Sequence, residues 1–213
     1  MRQIDMDTWP RRDHYEYFRV YDQPHFSMCA NLDVTEFRAY VKTHGISFTI
    51  GLVYLLARTA NAIPEFRCRL RETGVIEHEI VHPGYTLLID EERFSFCTVP
   101  YRASFSEFAA GADEQIAHVK ANPTLDDPEL DNLLYMSAIP WVSFTSFSHP
   151  MHYHPGDSVP RFAWGKVFTQ GDRQLMPLDV QGHHALMDGL HMGKYYATVQ
   201  EYLDEPGSVL GAG

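Results

Sequence analysis

The sequence predicts an α/β fold: a two-layer sandwich in which helices cover a mixed β-sheet. Three observations carry this expectation. Apolar residues recur at helical spacing in several capped segments. Between those segments lie short stretches of alternating apolar and polar residues joined by turn residues. The two patterns are interleaved along the chain and include hairpins, which places antiparallel strand pairs in a sheet with helices packed against it.

The elements follow in order. Residues 33–45 open with Asp33, place Glu36 three positions later, repeat Phe37, Tyr40 and Val41 on one face and close on Gly45, the signature of a capped helix. Residues 49–63 are almost continuously apolar, so a second helix is mostly buried beside the first and ends at Pro64. The period then changes. Residues 66–70 alternate, Glu72-Thr73-Gly74 forms a turn, and residues 75–81 alternate again as a hairpin. Strands are expected at 85–89 and 94–99, and a helix starts at Ser104 with Glu107 as its capping partner and ends near Asn122-Pro123.

Residues 138–147 are rich in aromatic and β-favouring types, and Pro155-Gly156-Asp157 is turn-like and belongs to a surface loop. Residues 164–168 and 174–180 flank Gly171-Asp172 as a hairpin. The last helix runs from about 190 to 203 with Met192, Tyr196, Val199 and Leu203 on one stripe. The sequence shows no internal repeat and no linker. Its 213 residues suffice for one domain with a full core and fall short of two, so residues 1–213 are expected to form a single domain.

Composition narrows the function. Hydrophobic residues at 45% and charged residues at 21% describe an ordinary globular protein. A net charge of -11 repels nucleic-acid phosphates and anionic lipid, and the one close basic cluster, Arg11-Arg12, sits among Asp5, Asp7, Asp13 and Glu16 as an ion-pairing segment. Neither nucleic acid nor membrane is therefore expected as a partner, and an anionic co-substrate must be held by a few chosen groups. Cys29, Cys68 and Cys97 are odd in number and lie in apolar or strand-like contexts, which suits buried thiols in a reducing compartment. No basic region followed by an apolar stretch opens the sequence, and no apolar run approaches the length of a membrane span. The cytoplasm is the expected location.

The most informative string is His183-His184-Ala185-Leu186-Met187-Asp188-Gly189, which leaves a predicted strand and enters the last helix. It places a titratable base on a tight connection, where loops commonly carry catalytic groups. On chemistry alone three explanations stand. The histidines are core residues and Asp188-Gly189 a helix start; or His and Asp ligate a metal, although no ligand-rich partner motif accompanies them and none is expected; or one histidine is a general base with its tautomer fixed by neighbours.

The string resembles the HHxxxDG signature shared by chloramphenicol acetyltransferases of type A, dihydrolipoyl acyltransferase cores and peptide-synthetase condensation domains, the HHxxxDG family of CoA-dependent acyltransferases and their relatives. The resemblance to the chloramphenicol enzymes extends over nearly the whole chain. It includes Trp9, Arg11-Arg12 and His14, the run Pro140-Trp141-Val142-Ser143-Phe144-Thr145-Ser146-Phe147, Gly165-Lys166, Thr169-Gln170-Gly171-Asp172, Leu175-Met176-Pro177-Leu178 and residues 183–191. Condensation domains are much longer, and lipoyl acyltransferases normally carry linkers and lipoyl domains. The single-domain antibiotic acetyltransferase is the closest fit, and a chloramphenicol acetyltransferase-like fold is what it implies.

The resemblance implies roles residue by residue. His184 is the general base that takes the proton of an acceptor hydroxyl, with its other ring nitrogen held by a hydrogen bond near its own backbone; His183 is structural. Asp188 pairs bidentately with Arg11, and Ser146 donates to the oxyanion of the tetrahedral intermediate. Tyr17, Phe18, Phe26 and Phe94 match aromatic walls of the acceptor pocket, and Lys166 lies near the coenzyme. Acetyl-CoA is the co-substrate, with no permanently bound cofactor, and the acceptor is chloramphenicol or a similar hydroxylated small molecule. The family works as a homotrimer with shared active sites, and antibiotic resistance is the implied outcome.

Three departures from the family pattern stand out. Ala163 replaces a threonine that helps hold a water, Val167 replaces an aromatic beside the lysine, and Ser148-His149-Pro150-Met151-His152-Tyr153-His154 replaces a more apolar run next to the acceptor. Its three histidines are expected to face water. Two other readings compete: the same chemistry on a different hydroxylated acceptor, and a non-catalytic assembly protein that kept the fold. The latter predicts erosion of the motif, whereas Arg11, Ser146, His184 and Asp188 are all present.

Overall fold

In a computed structural model of the protein, the described residues are 1–125, 130–151 and 157–211. The chain begins with β1 (Arg2–Gln3), α1 (Arg12–Phe18), β2 (His25–Asp33), α2 (Thr35–Thr43), α3 (Phe48–Ala62) and α4 (Pro64–Arg67). It continues through β3 (Cys68–Arg71), β4 (Gly74–Glu77), β5 (His82–Leu88), β6 (Phe94–Thr98), α5 (Phe105–Ala121) and β7 (Leu133–Ile139). It ends with β8 (Arg161–Gly165), β9 (Phe168–Gln170), β10 (Arg173–His183), α6 (Gly189–Asp204) and α7 (Gly207–Leu210).

The architecture is the expected sandwich. A seven-stranded sheet has the order β2-β10-β8-β7-β5-β6, with β9 also on β10. It is mixed, because β7 runs parallel to both β5 and β8 while the other pairs are antiparallel. Leu52, Leu55 and Leu56 of α3, Tyr195 and Val199 of α6 and Phe108 of α5 share one core with Phe162, Trp164, Leu178 and Val180 of the sheet. A smaller sheet, β1-β4-β3, packs with α1 around Tyr15, Leu70 and Val75.

Local chemistry explains several boundaries and corrects others. Ser47 caps α3 by accepting from the Ile50 N–H, and Pro64 stops it as expected. The capping boxes expected at Asp33 and Ser104 do not form. Asp33 Oδ1 instead accepts from the Thr35 N–H and hydroxyl, which leaves Val34 at the cap position, and Ser104 Oγ pairs with Ser106 Oγ. Of the β-favouring stretch 138–147 only Ala138 and Ile139 are strand, as the end of β7, and residues 140–147 form no helix or strand. The strand expected at 164–168 is broken after Gly165, where an added Cβ would lie 2.7 Å from Pro177 and 2.9 Å from the Val142 carbonyl. That close approach lets residues 142–149 run across β8 and β10 on the face away from the helices. Gly171, at φ 64°, closes the β9–β10 hairpin. On α6 it is Tyr195 that is fully buried, while Tyr196 donates its hydroxyl to the Leu178 carbonyl.

β1, α1 and β2 were not legible in the sequence. β2 is an edge strand with Ser27, Met28, Ala30 and Asn31 exposed, so no alternation marks it; its nine-residue pairing with β10 does. Of the expected surface loop, Pro155 and Gly156 lie outside the described residues, and Asp157 pairs with Arg161 at 2.6 Å. No helix among the described residues is long and apolar enough to cross a membrane.

Candidate active site

β10 ends at His183 and so places the paired histidines at its C-terminal end, beside the start of β2. His183 lies opposite His25, and the His184 N–H donates to the Pro24 carbonyl at 2.8 Å, fixing the start of the turn to β2. The Leu186 and Met187 N–H groups both return to the His183 carbonyl. Gly182 makes the turn possible: a Cβ there would meet Met187 Sδ at 2.2 Å. Ala185 and Leu186 are keyed into the small-sheet core and Met187 into the main one, so the turn after the paired histidines is clamped between two apolar clusters.

The two histidines sit in different environments. His183 is 1% exposed, and its Nδ1 accepts from the Ala185 N–H at 3.2 Å. Burial, with smaller contributions from His25 and His184, pushes its pKa down to about 3, so it is neutral at physiological pH. His184 is half-buried, with Phe18 stacked on its ring at 3.8 Å and 8° and Phe26 tilted against it at 4.8 Å. The expected hydrogen bond from its second nitrogen is not formed: Nδ1 is buried without a partner among the described residues. Stacking between aromatic faces therefore orients the ring.

Asp188 caps α6, with Oδ1 accepting from the Leu190 N–H and Oδ2 from Arg11 Nη1 at 2.6 Å. The pair is not bidentate as expected, because one carboxylate oxygen is committed to the helix cap; Arg11 Nε and Nη2 are buried without partners among the described residues. Burial pushes the Asp188 carboxyl up, but the Arg11 hydrogen bond, the Leu190 N–H and the nearby His191 and Arg11 outweigh it and hold the pKa at about 2. His191 completes the cap. Its Nδ1 accepts from the Asp188 N–H at 3.1 Å, and its Nε2 reaches Glu65 Oε1 at 3.3 Å. Neither His191 nor Glu65 was singled out from the sequence, although a polar residue three places after the Asp188 cap was the available signal.

The remaining expected residues lie elsewhere in the chain. Tyr17 is 61% exposed and touches Phe18, not His184. Phe94 is on β6, four strands from β10 and so roughly 19 Å away at about 4.8 Å per strand. Ser146 is exposed, in the segment crossing β8 and β10, between Phe144, which approaches Gly165, and His149, which bonds Asp179. This corrects the expectation that the histidines of that segment face water: the His149 side chain is 7% exposed. His152 and His154 lie outside the described residues. Ala163 is buried in β8 opposite Asp179.

Lys166 opens a cleft of about 760 Å³ whose lining includes Arg38, Lys42, Phe48, Trp164 and Val167. Three cations and no carboxylate line it, in a chain of net charge -11. Arg38 Nη1 donates to Gln174 Oε1, and the Lys166 N–H to the Val142 carbonyl, which fixes the rim. Such a cleft fits an anionic ligand with an apolar portion. Arg38 and Lys42 were missed in the sequence; their spacing of four on α2 places them on one helix face. Trp164 is level with Leu178, and His184 lies six residues beyond it, roughly 20 Å of strand. Cleft and histidine are at opposite ends of β10. No group of three or more His, Cys, Asp or Glu among the described residues is arranged to hold a metal ion.

The family model for chloramphenicol acetyltransferase matches residues 1–200. The chain belongs to the chloramphenicol acetyltransferase family. It is 35% identical over 204 residues to chloramphenicol acetyltransferases of Klebsiella sp and Escherichia coli, covering 95% of this chain and 93% of each relative. It is 34% identical over 206 residues to chloramphenicol acetyltransferase 2 of Escherichia coli, covering 94% and 96% of the two chains. Among solved structures, a chloramphenicol acetyltransferase matches with a TM-score of 0.84 at 27% identity, over 95% of this chain and 100% of that one. The cubic core of the pyruvate dehydrogenase multienzyme complex shares the fold, with a TM-score of 0.69 at 18% identity, over 99% and 94%.

Proposed function

We propose that the chain is a single catalytic domain that transfers the acetyl group of acetyl-CoA to a hydroxyl of chloramphenicol, conferring resistance to the antibiotic. The observation that carries this reading is His184: a half-buried imidazole at a rigid turn, held by Phe18 and Phe26, in a chain of this family. The proton sits on Nδ1, leaving the Nε2 lone pair for the acceptor. Nε2 removes the hydroxyl proton as the oxygen attacks the thioester carbon, and Ser146 donates to the oxyanion. Collapse of the tetrahedral species breaks the carbon–sulfur bond, and the imidazolium returns the proton to the departing thiolate. No acyl-enzyme forms. His183, neutral and buried, fixes the turn, and Asp188 with Arg11 fixes its far side.

The basic cleft supports acetyl-CoA as the second substrate. Arg38, Lys42 and Lys166 face its phosphates, and Phe48 and Val167 its apolar arm. Because the cleft lies at the opposite end of β10 from His184, and Ser146 between Phe144 at Gly165 and His149 at Asp179, the working site is shared: a head-to-tail trimer brings His184 of one subunit to Ser146 and the acceptor pocket of the next. Phe94 joins Phe18, Tyr17 and Phe26 as a pocket wall in the same way. The free cysteines fit action in the cytoplasm. The same chemistry on another hydroxylated acceptor is the alternative, favoured by Ala163 and the His149 segment. Thiol release from acetyl-CoA, measured with and without chloramphenicol, tests the reading. Release that depends on chloramphenicol, with product heavier by one acetyl group, is expected; release no faster than without it contradicts the assignment.

A further inference from the structure

Three residues beyond Ser146 the fold holds a titratable pair that acetyl transfer does not use. The His149 Nε2–H donates to Asp179 Oδ1 at 3.3 Å, and the two side chains are 7% and 1% exposed. Asp179 is in the middle of β10 on the face away from the helices, in register with Cys29 of β2 and Ala163 of β8. Burial, and then the Asp179 carboxylate, push the Cys29 thiol pKa up. A carboxylate buried on a sheet face is costly unless it is paired, and an apolar residue would fill the position without that cost. Holding the imidazole in one orientation is what the carboxylate adds.

In the neutral imidazole, an Nε2 that donates to Asp179 leaves the lone pair on Nδ1. Among the described residues none pairs with Nδ1, and the ring keeps a small accessible edge. Phe147 packs edge-on against the ring at 4.8 Å and holds it from the other side. Three residues span at most about 10 Å, so a drug-sized acceptor whose reacting hydroxyl lies beside Ser146 reaches His149. We propose that His149, positioned by Asp179, is a specificity-determining residue: it accepts a hydrogen bond from a second donor on the acceptor, a hydroxyl or an amide N–H remote from the reacting oxygen. The inference rests on the reading of Ser146 as the oxyanion donor.

The test compares kcat/KM for chloramphenicol, for its analogue with the secondary hydroxyl replaced by hydrogen, and for its N-methylated amide. Wild type is expected to lose on the order of 10- to 100-fold on one of the two analogues, because the buried imidazole is left without its partner. The variant His149→Leu with Asp179→Asn removes the imidazole and the buried charge together. It is expected to lose that same factor on chloramphenicol and to treat the affected analogue as wild type does. His149→Gln, which keeps a donor for Asp179, serves where the paired variant melts early, and it retains part of the discrimination. Equal wild-type turnover of all three acceptors overturns the inference, as does a variant that slows all three by one common factor; both leave the acetyltransferase reading intact. No thiol release with any acceptor overturns that reading and the inference with it.

Discussion

Arg11→Ala tests how the catalytic turn is held. Asp188 has a pKa of about 2 against an ordinary 3.8. That difference, at about 1.4 kcal/mol per unit, corresponds to about 2 kcal/mol of stability at neutral pH. The pair is 13% and 27% exposed, so solvent screens it only partly. The orphaned Arg11 Nε and Nη2 offset some of the gain, while the remaining Asp188 carboxylate becomes a partly buried charge without its cation. The Leu190 N–H and His191 supply part of the shift and survive the substitution, so a net loss of about 1–2 kcal/mol lowers the melting temperature of a chain this size by roughly 2–8 °C. The sign follows from a depressed carboxyl: the contribution is present above the ordinary carboxyl pKa and is lost as pH falls through about 2. The wild-type advantage over Arg11→Ala, measured by melting at pH 7 and at pH values down to 2, therefore shrinks toward the acid end. Because the contact uses Nη1 alone, Arg11→Lys recovers part of it. An Arg11→Ala protein that melts within a degree of wild type at pH 7 and turns over normally would refute the reasoning.

Three further outcomes follow from the geometry. His184→Ala lowers turnover by roughly 10²- to 10⁴-fold with the melting temperature nearly unchanged, whereas His183→Ala chiefly lowers the melting temperature, since it strips the Ala185 N–H of its acceptor. Ser146→Ala lowers kcat by on the order of 10²-fold with little change in the acceptor KM, because its donor acts on charge present only in the transition state; an effect confined to KM contradicts that role. Arg38→Ala with Lys42→Ala raises the KM for acetyl-CoA in a salt-dependent way and leaves kcat close to wild type, while an unchanged KM removes the cleft as the coenzyme site.

The layers and the catalytic string were legible because their signals are local. A nearly continuous apolar run marked α3, the Ser104 and Glu107 pair marked α5 even though their capping box does not form, a periodic stripe marked α6, and Gly171-Asp172 marked the β9–β10 hairpin. β2 was invisible because Ser27 and Asn31 on one face and Met28 and Ala30 on the other are all exposed, so no alternation marks it, and its register comes entirely from pairing with β10. The resemblance singled out Arg11 and Asp188, but not that one oxygen is spent on the α6 cap, a competition that appears only when helix and arginine meet in space. His149 looked like a solvated histidine because its partner, Asp179, lies 30 residues away in sequence on another element. Arg38, Lys42 and Lys166 are separated along the chain and form a cation cluster only once α2 lies across the end of β8.

The central claim is that one working site is built from His184 of one subunit and Ser146 of the next. His184→Ala and Ser146→Ala chains, each nearly inactive alone, are unfolded together in equal amounts and reassembled. In random cyclic trimers about three quarters are mixed, and each mixed trimer has one interface where intact His184 meets intact Ser146, so about a quarter of all sites are restored. The account predicts turnover near a quarter of wild type in the mixture. Activity that stays at the level of the two parents, in a sample shown by mass to contain mixed trimers, would contradict it.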